Sequence, residues 1–183
     1  MKLSLGPCRG RASWQHGGVG SLVFSDRVHR SVYNDPAIFD LEMERIFGRA
    51  WIYIGHESEV TEKGDYVTRL VGRHPVILSR HSDGKVYVIH NSCGHRGAKV
   101  CVAAQGNARP LRCPYHGWTF KSNGDLDGVS MPRGYSEKMD LGDPSLGMRR
   151  LPMVENYRGF VFASLDPSAL SLKDWLGPAI QSI

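Results

Sequence analysis

Two cysteine–histidine pairs constrain this chain more than any other feature. Cys93-Gly94-His95 and Cys113-Pro114-Tyr115-His116 read C-x-H and C-x2-H, with seventeen residues between His95 and Cys113. A fold that honours both must bring two thiolates and two imidazoles to one place on two short loops. Two donor sets of this kind are chemically familiar. A Zn²⁺ ion takes two sulfurs and two nitrogens tetrahedrally. A [2Fe–2S] cluster can take two cysteines on one iron and two histidines on the other. The C-x-H spacing is tighter than usual zinc-finger pairs, and the surrounding pattern is β rather than a mini-domain built on a metal. Both facts favour the cluster. A third reading, chance packing, is hard to reconcile with two matched pairs.

The residues around the donors suit such a group. Gly94, Gly97 and Gly117 allow tight turns and close approach of backbone N–H groups to sulfur. Pro114 stiffens the second loop. Trp118 and Tyr115 can either shield the group from water or simply fill core.

The rest of the chain reads as mostly β. Residues 1–25 hold no Asp or Glu, three Lys or Arg and five glycines, which predicts a flexible leader rather than a secretory signal; a transit peptide is an alternative. Order is expected from about Val28. Asp35-Pro36 forms an N-cap and first-turn proline, and Phe39, Met43, Ile46/Phe47 and Ala50 recur at helical spacing, so 36–49 is predicted as an amphipathic helix packed on a core. Strands are expected at 51–54, 66–71, 74–80, 85–89, 98–104, 109–112, 118–121, 148–154 and 159–163. Turns at Asp83-Gly84 and Asn123-Gly124 punctuate them. Ser171-Leu172-Lys173-Asp174 resembles a capping box opening a short C-terminal helix. The expected fold is an antiparallel barrel or sandwich with an N-terminal amphipathic helix and a short C-terminal one.

Composition excludes several functions. No apolar run approaches the ~18 residues of a membrane span. The net charge of +5 comes from basic residues scattered among acidic ones, which gives no nucleic-acid footprint. Four cysteines are too few for a disulfide framework. Two of them stand at ligand spacing, pointing to a reducing, cytoplasmic setting. Cys101 sits in an apolar run and reads as a small buried hydrophobe; Cys8 has no assignable role.

The motif Asn91-Ser92-Cys93-Gly94-His95-Arg96-Gly97 with Cys113-Pro114-Tyr115-His116-Gly117-Trp118 resembles the Rieske motif of aromatic-ring-hydroxylating oxygenases. Val28–Phe39, Trp51–Ser58 and Gly64-Asp65-Tyr66 extend the likeness. Residues 27–183 look like the N-terminal part of an oxygenase α (large) subunit, most similar to those acting on benzoate-type aromatic acids. Rieske proteins of respiratory complexes carry two further cysteines joined as a disulfide; the matching positions here are Ala98 and Tyr115, which points to the low-potential soluble class.

The resemblance implies that Cys93, His95, Cys113 and His116 are the ligands of a [2Fe–2S] Rieske cluster, with no catalytic residue of its own in this chain. It implies domains at 1–27 (leader), 28–50 (helical segment), 51–165 (Rieske domain) and 166–183 (start of a linker to a catalytic domain). That further domain would hold a mononuclear Fe(II) by two histidines and a carboxylate. No histidine follows His116, so that iron has no site here. The chain is therefore expected to be a fragment, an incomplete gene product or a free-standing Rieske protein. Its implied partners are a ferredoxin or reductase donor, other α subunits, as in a trimer, and β subunits. The alternative function is a stand-alone Rieske ferredoxin-like electron carrier.

Overall fold

The computed structural model describes residues 18–135 and 140–183. Cys8 and the leader expectation over 1–17 lie outside the described residues. Two units are distinguishable, Met1–Glu44 and Arg45–Ile183.

In the first unit, a 3-10 turn at Val19–Leu22 stands ahead of Val28, where the sequence placed the onset of order. A short helix α1 (Ser31–Asn34) precedes α2 (Pro36–Glu42). The Asp35 carboxylate accepts the Ala37 N–H at 2.9 Å and Pro36 opens the helix, as its sequence signals indicate. The helix does not run regularly to residue 49. From Met43 to Phe47 the turns widen to π geometry. Ile38 is buried, whereas Phe39 and Ile46, two members of the predicted stripe, are about half exposed. Two adjacent apolar residues, Ile38 and Phe39, leave the phase of a helix open by one position. A π turn then shifts the face of everything after it.

The second unit is a stack of three antiparallel sheets. The middle sheet has the order β4-β3-β2-β5, from Val86–His90, His74–Arg80, Asp65–Val71 and Gln105–Asn107. A three-stranded sheet joins β1 (Ile52–His56), β10 (Phe160–Ser164) and β9 (Met153–Tyr157). A small sheet joins β6 (Leu111–Arg112), β7 (Thr119–Phe120) and β8 (Leu126–Gly128). The side-chain period of two sorts β3 and β4 between two cores. Val76, Leu78 and Val88 join Ile54, Val161 and Ala163 in one. Ile77 and Ile89 join Leu111, Phe120, Cys93 and Cys113 in the other. Each such burial of a Val, Leu or Ile is worth about 1.5–3 kcal/mol. The Val76-Ile77-Leu78 run, apolar on both faces, is thus the sequence mark of a central strand.

The turn residues perform as their chemistry requires. Gly84 takes φ +83° and Asp83 Oδ1 accepts the Lys85 N–H at 2.9 Å. Gly124 takes φ +95° beside Asn123, whose Oδ1 accepts the Asp125 N–H at 3.1 Å. At the far end Ser171 Oγ accepts the Asp174 N–H at 3.2 Å and caps α3 (Leu172–Leu176).

One expected strand is missing. Residues 98–104 are irregular; β2 first bonds this limb at Ala104, whose carbonyl accepts the Thr68 N–H at 2.8 Å, and ladder pairing follows from Gln105. The reason is local. The Val100 and Cys101 N–H groups go to the Asn91 side chain.

Candidate metal centre

β4 ends at His90, and the chain turns at once into the first ligand loop. β6 ends at Arg112 and delivers the second; β7 takes the chain away after Trp118. The two loops share a backbone turn. Cys93 N–H donates to Ala98 C=O at 2.8 Å, and Gly97 N–H donates back to Cys93 C=O at 2.8 Å. Cys113 N–H donates to Trp118 C=O at 2.8 Å, and Gly117 N–H to Cys113 C=O at 3.0 Å. The glycine at the fourth position after each cysteine adopts positive φ, +71° at Gly97 and +70° at Gly117. That conformation is why glycine stands there.

This geometry brings all four sequence-predicted donors to one end of the small sheet as two pairs. The Cys93 and Cys113 side chains are buried against each other. Burial pushes the Cys93 thiol up. N–H groups of His95 and Arg96 aimed at its sulfur pull it down, and Cys113 beside it pushes it up again. The buried Cys93 thiol resists ionisation until a cation is supplied. The imidazoles of His95 and His116 lie 4.8 Å apart, centroid to centroid, at 66°. His95 Nδ1 is buried with no hydrogen-bond partner. An orphaned ring nitrogen in such a place costs free energy unless something else takes its lone pair, and a metal ion does so. Among the described residues no group of three or more His, Cys, Asp or Glu converges as one ion requires. Two separate pairs suit a two-iron group better than a single tetrahedral Zn²⁺.

The two aromatic residues at the site divide their roles. Trp118 is fully buried, stacks on His95 at 4.8 Å and 7°, and donates its indole N–H to Tyr135 Oη at 2.7 Å. Tyr115 is 63% exposed, with its ring 3.8 Å from His116. It borders an open hollow of about 470 Å³ that reaches Cys113 and His116. Trp118 therefore shields, while Tyr115 covers one imidazole from the surface.

Three contributors carried no assigned role in the sequence. Tyr135 holds Trp118 from the irregular segment that follows β8. The turn ending at Leu146-Gly147 presses on the first loop, so that a methyl group on Gly94 would sit 2.1 Å from the Leu146 carbonyl oxygen. Asn91, 1% exposed, spans the base of that loop. Only Asn91 left a trace, as a turn-forming amide next to the ligands. Cys101 is buried, as its apolar surroundings suggest, with its thiol pushed up to about 12 by burial.

Residues 50–140 match the Rieske [2Fe-2S] domain family, and the chain belongs to it. Within that family the likeness is to the large subunits of aromatic dioxygenases. The chain is 41% identical over 177 residues to the anthranilate 1,2-dioxygenase large subunit of Acinetobacter baylyi, covering 93% of this chain and 37% of that one. It is 42% identical over 147 residues to the N,N-dimethyl phenylurea N-demethylase subunit alpha of a Sphingobium species, covering 80% and 32%. Among solved structures, naphthalene 1,2-dioxygenase from Rhodococcus sp. bound to indole superposes with a TM-score of 0.80 at 40% identity, covering 90% of this chain and 37% of that one. The chain thus spans about a third of the length of its relatives and corresponds to their N-terminal Rieske portion.

Proposed function

We propose that Cys93 and Cys113 hold one iron and His95 and His116 the other iron of a [2Fe–2S] cluster, and that the chain relays electrons within an aromatic-ring-hydroxylating dioxygenase. The observation that carries this reading is the buried, unpartnered His95 Nδ1 beside His116, next to a buried pair of thiols. When bound, the cluster supplies a one-electron couple, and histidine ligation raises its potential above that of an all-cysteine cluster.

The chain's own residues set the conditions for that couple. The His95 and Arg96 N–H groups stabilise negative charge on the Cys93 sulfur. Trp118 excludes water from the His95 side, and Tyr135 locks its ring. His116 lies beside Tyr115 and lines the open hollow, and it is the edge through which electrons pass.

The donor is a reductase or ferredoxin. The acceptor is a mononuclear iron that activates O2, held in a catalytic domain of a trimeric α assembly, with β subunits where present. The 51–165 stretch is the Rieske domain, preceded by a helical segment at 28–50 and a leader at 1–27, with 166–183 leading toward the catalytic domain. The proposed setting is cytoplasmic; no helix among the described residues is long and apolar enough to cross a membrane. An aromatic acid related to anthranilate is the favoured substrate class.

The test is to purify the full chain after iron and sulfide reconstitution and measure metal content, sulfide content and electron paramagnetic resonance after dithionite reduction. Two irons and two sulfides per chain with a reduced-state signal are expected. A colourless, silent protein holding one Zn²⁺ overturns the reading.

A further inference from the structure

Along 98–102 the return limb of the first ligand loop has no strand pairing; β2 reaches it only at its end, where Thr68 N–H donates to Ala104 C=O at 2.8 Å. Its two ends are joined instead by one side chain. Asn91 Oδ1 accepts the Val100 N–H at 3.0 Å and the Cys101 N–H at 2.9 Å, and Asn91 Nδ2 donates to the Cys101 carbonyl at 2.7 Å. The carboxamide thus replaces the three bonds that a partner strand would have provided. Its own backbone is anchored in turn, with N–H donating to Pro75 C=O at 2.8 Å, which fixes it to β3 of the central sheet. Everything between these points, Ser92 to Lys99, carries Cys93 and His95. The second loop needs no such device, because Leu111 and Arg112 pair directly with Phe120 and Thr119 across its base.

We infer that Asn91 is a positioning residue of the metal centre: its carboxamide is the clasp that closes the 91–101 loop and holds Cys93 and His95 in ligand geometry. This rests on the cluster reading given above. The clasp acts through backbone rather than on the metal. If the amide is removed, the Val100 and Cys101 N–H groups are left buried and unsatisfied, the return limb loosens, and the Cys93 sulfur loses its fixed relation to the His95 and Arg96 N–H donors. Ligand geometry and cluster retention then change together, beyond any general loss of stability.

The experiment uses the full reconstituted chain and compares wild type, Asn91→Ala, Asn91→Asp and Ser79→Ala. Ser79 is a fully buried residue whose hydroxyl donates to the Ser122 carbonyl away from the loop, so its variant reports what the loss of an ordinary buried hydrogen bond does. Three readouts are taken: the half-life of the visible absorbance in excess iron chelator, the g-values of the dithionite-reduced signal, and the urea midpoint. Asn91→Ala is expected to shorten the half-life by about tenfold or more, the scale of an unsatisfied buried amide, and to shift the g-values. Asn91→Asp keeps an oxygen for both N–H groups but sets a second oxygen against the Cys101 carbonyl, and is expected to recover only part of the half-life. Ser79→Ala is expected to lower the urea midpoint while leaving the g-values at the wild-type position.

An Asn91→Ala chain with wild-type half-life and g-values overturns the inference, as does one that behaves like Ser79→Ala. If Asn91→Ala fails to fold, Asn91→Ser, too short to reach both N–H groups, is read in its place against the same standards. A wild-type chain that takes up no cluster overturns the cluster reading itself; a loaded wild type with an indifferent Asn91 overturns only the clasp.

Discussion

Residues 93–98 and 113–118 fold into the same turn, yet the protein holds them by different means. In both, the cysteine N–H reaches the carbonyl five residues on, and the glycine four residues on returns a bond to the cysteine carbonyl. The second loop sits on a strand pair, β6 against β7, and its Trp118 is pinned by Tyr135. The first is closed by the Asn91 amide and pressed from outside by the Leu146-Gly147 turn. One Cys–His pair is therefore held by sheet, the other by a side chain and a tight backbone contact. The fold builds one turn twice and can support each copy with whatever its neighbours offer.

The comparison breaks most completely at the ligands themselves. Cys93→Ser and Cys113→Ser are expected to abolish the cluster equally, because both loops must contribute to a shared group. Iron and sulfide analysis of the purified variants checks this, and a variant retaining half the wild-type iron with an intact signal counts against shared ligation.

A smaller effect separates the supports of the first loop. Gly94→Ala drives a methyl group into the Leu146 carbonyl, which is backbone and cannot swing aside. It is expected to cost about 2–4 kcal/mol, as overpacking and backbone displacement do. Gly97→Ala meets nothing closer than 3.7 Å and pays only for its left-handed backbone at φ +71°, about 1–2 kcal/mol. Urea unfolding of both variants gives the order directly; equal losses would show that the outer turn does not bear on the loop.

The smallest effect is a dependence on pH at the root of the first loop. Burial, helped by Arg149 and His74, lowers the His90 pKa. The unfolded chain then binds a proton there more readily than the folded one. Stability is full above the ordinary histidine range and falls as pH drops below about 6.5. Residue 112, which precedes the second loop, is an arginine, so that loop has no histidine at the matching place. His90→Gln is expected to flatten the slope of the thermal midpoint between about pH 7 and pH 5; an unchanged slope assigns it to other groups.

Much of this architecture was legible in the residues. The two Cys–His pairs, the two loop glycines, the Asp83-Gly84 and Asn123-Gly124 turns and the doubly apolar β3 each depend on short-range covalent geometry or on a local pattern. The misses share a different cause. Residues 98–104 have the composition of a strand, but Asn91 intercepts two of its N–H groups from seven or more positions away. The helix stripe was read one residue out of phase because Ile38 and Phe39 are equally apolar, and only packing chooses between them. Tyr135 and Leu146 reach the site from segments with no periodic signal at all.

The sequence by itself determined which atoms could meet a metal and the turns that present them, because ligand spacing and the need for glycine at positive φ are properties of a few adjacent residues. Tertiary structure alone decided that His95 Nδ1 would be buried without a partner, that Trp118 rather than Tyr115 would exclude water, and that an amide would close the first loop. Desolvation and closure depend on what the chain brings back from tens of residues away, and no local pattern encodes that distance.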